Sequence, residues 1–178
     1  VAIIGGGIAG CACAYRLARC RVRVVLLEKE NDICMGATRA NSAIMHAGYD
    51  PHPGTLMAKL NVKGCRMAKD LCRKLSVPYR ENGSLVLSFS PEEDRTIEKL
   101  CQRGLKNGVP DLRIVEKEEL HQMEPALSEG ACRALYAPHS GIVSPWDYTL
   151  AMAEVAVKNG TELHLSTKVI GLEKLSDS

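Results

Sequence analysis

Three glycines and one acid mark where this sequence could do chemistry. Gly5, Gly7 and Gly10, in Gly5-Gly6-Gly7-Ile8-Ala9-Gly10, fit the pattern G-x-G-x-x-G. Glu28 follows at about the distance where a dinucleotide fold places an acid. The chemistry is recognition of a diphosphate and a ribose. Gly5 permits a sharp turn, Gly7 lets backbone approach a pyrophosphate, and Gly10 lets a helix lie close on a strand. The helix then points free N–H groups and its positive dipole end at the phosphates. A carboxylate such as Glu28 accepts hydrogen bonds from ribose hydroxyls.

The elements that must position these residues are legible around them. Val1–Ile4 is a short apolar run, Cys11–Ala18 has helical character, and Val22–Leu27 is a second apolar run ending at Glu28. Strand, glycine turn, helix, strand and acid therefore agree with the motif, which alone also fits an ordinary glycine turn.

A second candidate stretch runs from Gly36 to Tyr49. It is rich in small and hydroxyl-bearing residues and holds the cation Arg39 and the imidazole of His46. Such a composition brings N–H groups and hydroxyls against a phosphate or a ring edge, or it is a plain surface loop. Its place directly after the acid favours a second contact with the same ligand.

The totals exclude several classes. A chain of 178 residues suits one domain or one and a fraction, and a hydrophobic share of 46% can build a core. A formal charge of +2 and aromatics at 4% argue against nucleic acid as partner. No apolar run approaches the roughly 20 residues of a membrane span, which leaves a peripheral membrane contact open. The 8 cysteines form no C-x-x-C pair and no zinc or iron–sulfur spacing, so no metal site is read. Reduced, partly buried thiols suit a cytoplasmic protein.

Beyond Tyr49, Pro51 and Pro53 make a turn, and a helix is expected from about Thr55 to Leu75. Leu56, Leu60, Met67, Leu71 and Leu75 recur at helical spacing as its apolar stripe. Lys59, Lys63, Arg66, Lys69 and Arg73 make a solvated basic face, which could also draw in an anionic substrate. Leu85–Phe89 reads as a strand. Ser90-Pro91-Glu92-Glu93 reads as a capped helix start, with the helix ending at Asn107-Gly108. Strands are expected at Leu112–Val115 and Ala131–Tyr136, with a short acidic helix at Glu116–Met123 between them. Gly141–Val143 is expected to turn back beside Ala131–Tyr136. Ser144-Pro145-Trp146-Asp147 starts another helix, closing at Asn159-Gly160. Strands Thr161–Leu165 and Lys168–Leu172 follow, then a polar stretch Lys174–Ser178.

This order reads as an α/β protein: a Rossmann-like domain interrupted by part of an α+β domain with antiparallel strands. The expected boundaries are 1–76 and 144–178 for the dinucleotide domain and 77–143 for the inserted one.

With these residues in place, the chain resembles the D-amino-acid-oxidase-like superfamily of FAD-dependent oxidoreductases. It is most similar to the anaerobic glycerol-3-phosphate dehydrogenase and L-2-hydroxyglutarate dehydrogenase types. The similarity rests on the glycine motif with Glu28, on Gly36–Tyr49, and on Pro53–Asn61, Gly83–Leu87, Glu124–Leu127 and Gly141–Pro145. It implies FAD as cofactor, with Gly5, Gly7 and Gly10 at the pyrophosphate, Glu28 at the adenosine ribose and Lys29 beside the adenine. Thr38, Arg39, Asn41 and Ser42 would line the phosphate and ribityl portion, with His46, Ala47 and Gly48 near the isoalloxazine. Val169 would sit on a strand whose backbone meets the adenine.

The implied reaction oxidises a secondary alcohol on a small anionic substrate, sn-glycerol 3-phosphate first. The carbon-bound hydrogen passes as hydride to flavin N5 while a base, His46 by its place, takes the hydroxyl proton. His46 could equally serve as a packing or cofactor-bonding group. L-2-Hydroxyglutarate or an amino acid is the alternative substrate, and the electron acceptor is not specified by the sequence. Relatives of this type are longer and carry a late glycine-aspartate segment, so the chain is expected to be the N-terminal portion of a longer enzyme. Two other classes fit the first motif alone: a non-catalytic dinucleotide-binding module and a nicotinamide-dependent dehydrogenase.

Overall fold

The computed structural model describes residues 1–174; of the polar stretch at the end, residues 175–178 lie outside the described residues. Elements follow in chain order as β1 (Ala2–Ile4), α1 (Ile8–Leu17), β2 (Val25–Leu27), β3 (Ile44–Met45), α2 (Leu56–Lys74), β4 (Tyr79–Arg80) and β5 (Ser84–Ser88). Then come α3 (Pro91–Asn107), β6 (Arg113–Glu116), α4 (Lys117–Met123), β7 (Arg133–Ala137), β8 (Gly141–Val143), α5 (Pro145–Lys158) and β9 (Glu162–His164). The chain divides into two compact units. One holds residues 1–43, 74–77 and 144–178, and the other holds 44–73 and 78–143.

The first unit is built on a parallel sheet of order β1-β2-β9. Ile3 lies opposite Leu26, and Leu26 opposite Leu163. A parallel pair needs a crossover, and α1 supplies the one between β1 and β2. Helix α1 packs on α5. Both helices bury small residues, Cys11 and Ala14 on α1 and Ala153 and Ala156 on α5, so their axes can come close. Leu26, 1% exposed, is among the largest side chains in this interior; its burial contributes roughly 1.5–3 kcal/mol. Helix α5 starts where the sequence signals it. Ser144 Oγ accepts the Asp147 N–H at 3.2 Å, with Pro145 in the first turn.

The second unit is antiparallel. One sheet has order β3-β8-β4 and the other β5-β7-β6. Helix α3 covers the latter. Its start is held from both sides: Ser90 Oγ accepts the Glu93 N–H at 3.3 Å, and Glu93 Oε2 reaches back to the Phe89 N–H, just before the cap, at 2.7 Å. It stops at Gly108, whose φ of 78° places it in the left-handed region. Ile97, Cys101, Leu112 and Leu135 form one core cluster with Val62 and Ala137. Val115, Leu120, Ala131 and Ala134 form another.

Four expectations are corrected. Helix α2 forms over nearly the expected residues, but its buried face is Ala58, Val62, Cys65, Ala68 and Cys72. Leu56, Leu60 and Met67, offered as the apolar stripe, are 69%, 53% and 48% exposed. Small side chains let the helix approach its neighbours, and the longer ones point outward. Second, α2 up to Arg73 belongs to the second unit, so the inserted part starts at Ile44 rather than after residue 76. Third, β8 does not lie beside β7. It pairs with β3 and β4, Ile142 opposite both Ile44 and Arg80, because both sides of β7 are already taken by β5 and β6. Fourth, Lys168–Leu172 is not a strand. Ile170 is 93% and Leu172 86% exposed, and no strand among the described residues pairs with them.

Candidate functional site: the first turn of α1

The site is assembled where β1 ends. The Gly5 N–H donates to Leu27 O at 2.8 Å, which ties the turn to the end of β2. Gly5 then adopts φ 103°, a conformation that glycine alone takes without strain. A β-carbon on Gly10 would lie 1.9 Å from the Gly5 carbonyl oxygen. That carbonyl therefore rests on the helix backbone itself, and Gly10 is the reason α1 can start so close to the turn.

Glu28 anchors the turn from below. Its side chain is only 7% exposed. Oε2 accepts the Gly6 N–H at 2.5 Å and Oε1 the Glu30 N–H at 2.9 Å. Burial pushes its pKa upward, but the backbone N–H groups of Glu30, Gly6 and Lys29 outweigh it, and the group is held below the ordinary carboxylate range. Three backbone donors leave the carboxylate with acceptor capacity for one further donor such as a hydroxyl. Lys29 is exposed and pairs with Glu30 at 3.3 Å. The Gly6 carbonyl accepts the Cys34 N–H at 3.0 Å and the Cys11 thiol at 3.4 Å. Burial, with Cys34 and Glu28 nearby, pushes that thiol up to about 12, so it stays a neutral donor.

The helix opens with unpaired donors. Gly7 is its N-cap, and no side chain bonds to the cap. The Cys11 N–H donates to Gly7 O at 3.0 Å, and the Ile8 N–H donates to Thr38 Oγ1 at 3.0 Å. The N–H groups of Gly7, Ala9 and Gly10 reach no acceptor among the described residues. They are the orphan donors of a helix start, backed by the positive end of the macrodipole.

The second stretch meets this turn at one residue. Thr38 Oγ1 also lies 3.1 Å from where a Gly7 β-carbon would stand. Around it the loop fastens itself. Asn41 Nδ2 donates to Thr38 O at 2.7 Å, and Asn41 Oδ1 accepts the Ala43 N–H at 2.8 Å. Arg39 stacks on the ring of Trp146, 5.5 Å from its centroid, and Ser42 is exposed. Asn41 thus shapes the loop with both ends of its amide, and Arg39 is held by an aromatic neighbour that sequence reasoning did not pair with it.

The remaining candidates belong to the second unit. His46 follows β3 and is exposed. Ala47 is 3% exposed and joins the core cluster of Val62 and Leu135. Gly48 has φ 109°, and a β-carbon there would lie 2.5 Å from Val62 Cγ2, so its glycine identity is set by packing against α2. Val169, in the first unit, is half-buried and outside any strand. Sequence reasoning missed a cluster in the second unit. His139 Nδ1 lies 3.0 Å from Glu81 Oε1 and Nε2 lies 2.8 Å from Asp111 Oδ2, while Lys69 pairs with the other Glu81 oxygen. These residues are scattered over 71 positions of the sequence, and no local pattern links them. Among the described residues no group of three or more His, Cys, Asp and Glu could hold a metal ion, and no helix is long and apolar enough to cross a membrane.

With that geometry established, comparisons with known proteins bear on the ligand. Residues 1–177 match the model of the FAD dependent oxidoreductase (DAO) family. The chain belongs to this family. A glycerol 3-phosphate dehydrogenase of Caloramator mitchellensis is 50% identical over 98% of the chain and 36% of the relative. The mitochondrial L-2-hydroxyglutarate dehydrogenase of Dictyostelium discoideum is 38% identical over 80% of the chain and 32% of the relative. Among solved structures, the dithionite-reduced L-alpha-glycerophosphate oxidase of Mycoplasma pneumoniae with FAD bound superposes with a TM-score of 0.91, at 31% identity over 95% of the chain and 45% of the oxidase. The chain spans about a third to a half of the length of these relatives. FAD is thus the cofactor of the family. The donor set fits it: unpaired N–H groups for a diphosphate stand beside a carboxylate with acceptor capacity for a ribose hydroxyl.

Two outcomes follow from this geometry. Gly7→Val places a branched side chain at the cap, against Thr38 and across the free N–H groups. FAD binding is expected to weaken at least about 100-fold, the loss of two hydrogen bonds to a charged group at about 1.5–3 kcal/mol each. Circular dichroism should stay unchanged, and a variant that still retains FAD contradicts the site. Glu28→Gln is expected to destabilise the cofactor-free protein by about 1–3 kcal/mol near neutral pH. Because the folded pKa of Glu28 is lowered, the carboxylate's contribution is complete above its unfolded value, near 4.5, and is lost as pH falls through the folded value. Urea midpoints of the two proteins should therefore converge below that range; a gap that stays constant with pH argues against the anchoring role.

Proposed function

We propose that the protein is an FAD-dependent dehydrogenase that oxidises the secondary alcohol of a small anionic substrate, sn-glycerol 3-phosphate first. The observation that carries the cofactor half is the set of unpaired N–H groups on Gly7, Ala9 and Gly10 beside the buried Glu28 carboxylate. The substrate half is supported by the 50% identity to a glycerol 3-phosphate dehydrogenase, above the 38% to an L-2-hydroxyglutarate dehydrogenase.

In this reading Gly5 and Gly10 shape the turn, and the N–H groups of Gly7, Ala9 and Gly10 hold the diphosphate. Glu28 holds the adenosine ribose, with Lys29 beside the adenine. Thr38, Arg39, Asn41 and Ser42 present hydroxyl, cation and backbone along the ribityl portion. Ala47 and Gly48 offer backbone, since the Ala47 methyl is committed to the core. Val169 offers backbone from an unpaired segment. FAD when bound supplies the acceptor for the hydrogen and electron pair leaving the alcohol carbon. His46, exposed at the end of β3, accepts the hydroxyl proton as that bond breaks, and an imidazole is suited to this near neutral pH. Exposed cations steer the anionic substrate. A cytoplasmic site of action, with peripheral membrane contact open, belongs to the same reading.

The test is anaerobic reduction of the FAD-loaded protein. Glycerol 3-phosphate is expected to bleach the flavin band, while L-2-hydroxyglutarate and amino acids leave it. Bleaching by L-2-hydroxyglutarate alone transfers the assignment to that substrate; bleaching by none of them, with FAD bound, leaves a non-catalytic binding module. His46→Asn should keep FAD and lower the reduction rate by about 100- to 10,000-fold. An unchanged rate removes His46 from the reaction.

A further inference from the structure

The second unit contains a cavity of about 260 Å³ that shares only Ala47 with the cofactor reading. Its interior is apolar, formed by Ala47, Val62, Cys65, Tyr79 and Pro110. This volume lies just below the range for drug-sized ligands, so it suits a smaller one. Burial pushes the Cys65 thiol up, and burial with Cys65, Glu81 and Cys72 pushes the Tyr79 phenol up to about 12. The floor therefore stays uncharged across the physiological range.

The rest of the lining is charged or ionisable. Arg66, Lys69, Glu81 and His139 complete the lining. Arg66 Nη2 donates to Gly108 O at 2.7 Å and keeps its other donors free. Lys69 gives one of its three donors to Glu81. His139 stands between Glu81 and Asp111. Its hydrogen bonds to Asp111 and then Glu81 raise its pKa above the ordinary 6.5. While His139 is protonated, positive charges in this cluster outnumber negative ones, and the spare donors belong to Arg66 and Lys69. An apolar chamber with spare cationic donors in its lining is complementary to a short hydrocarbon ending in a carboxylate.

We propose that this cavity is an effector site for a small monocarboxylate, its carboxylate on Arg66 and Lys69 and its apolar body against Val62, Tyr79 and Pro110. The link to activity is the wall residue Ala47, which stands between His46 and Gly48 in the chain. That link rests on the functional reading above; binding itself does not. Affinity is highest while His139 is charged and falls as pH rises through its folded pKa. The groups facing that imidazole are Glu81 just after β4 and Asp111 before β6, with Lys69 of α2 reaching it through Glu81, and the Cys65 thiol bonding its carbonyl at 3.4 Å.

Titration calorimetry of the FAD-loaded protein with hexanoate at pH 6 tests the site, with 1-hexanol and acetate as controls. One hexanoate is expected per chain, bound at least tenfold more tightly than either control. The double variant Arg66→Gln/Lys69→Gln, both positions being exposed, should lose that tenfold while its circular dichroism stays unchanged. Hexanoate should lower kcat without raising KM for the alcohol. No binding, equal binding of 1-hexanol, or full affinity in the double variant overturns the site. A rise in KM alone overturns the effector role by placing hexanoate in the active site. If no alcohol is turned over, the functional reading fails while calorimetry still decides the cavity; a hexanoate-induced shift of the flavin band then replaces kinetics as the test of the link, and its absence overturns it.

Discussion

The carboxylate of Glu28 is the constraint on which the nucleotide end of this protein depends. A glycine turn has few holds of its own: beyond backbone bonds such as Gly5 N–H to Leu27 O, it has no side chains to pack. Glu28 supplies the missing attachment by accepting the Gly6 and Glu30 N–H groups from a site only 7% exposed. A buried charge without partners costs several kcal/mol, so these bonds are the condition for the acid being there at all. The same arrangement leaves acceptor capacity on the carboxylate for one further donor. One residue thus fixes the turn and remains chemically available to a ligand.

Close approach of backbone does the rest. Gly5 and Gly10 set β1 against α1, the Gly5 carbonyl and the Ile3 side chain lying against the helix at Gly10, and α1 against α5 repeats the strategy with Cys11, Ala14, Ala153 and Ala156. The second unit uses it again along α2, where alanines and cysteines form the buried face. Five of the free cysteines, Cys11, Cys34, Cys65, Cys72 and Cys101, are buried. They act there as small apolar side chains whose thiols burial keeps protonated.

Much of this was legible in the sequence because its signals are local. The glycine spacing, Glu28, and the Ser-Pro caps at Ser90 and Ser144 each act within a few residues of themselves, and the structure forms turn, acid and both helix starts there. What was not legible depends on partners distant in the chain. Nothing near Leu56 or Leu60 says that the smaller residues of α2 face inward, because the choice is made by what the helix packs against. Nothing near Gly141 says that β8 joins β3 and β4, 97 and 62 residues upstream at Ile44 and Tyr79. Arg39 reads as a free cation until Trp146 is found beneath it. The His139 cluster is the extreme case, since its carboxylates arrive from Glu81 and Asp111.

Thr38 ties the start of the Gly36–Tyr49 stretch to the first turn of α1. Its hydroxyl accepts the Ile8 N–H and so occupies one of the first donors of α1, while those of Gly7, Ala9 and Gly10 stay open. A hydroxyl is also a donor, and with its acceptor side turned to Ile8 its proton is free to point at a phosphate oxygen. The threonine therefore converts a backbone donor into a side-chain donor displaced toward the Gly36–Tyr49 stretch. The donor array of the helix start is thereby extended by one hydroxyl. The loop that delivers Thr38 is in turn closed by Asn41 bonding its carbonyl. The helix start, the threonine and the asparagine form a connected chain of hydrogen bonds, and the geometry of each link is set by the one before it.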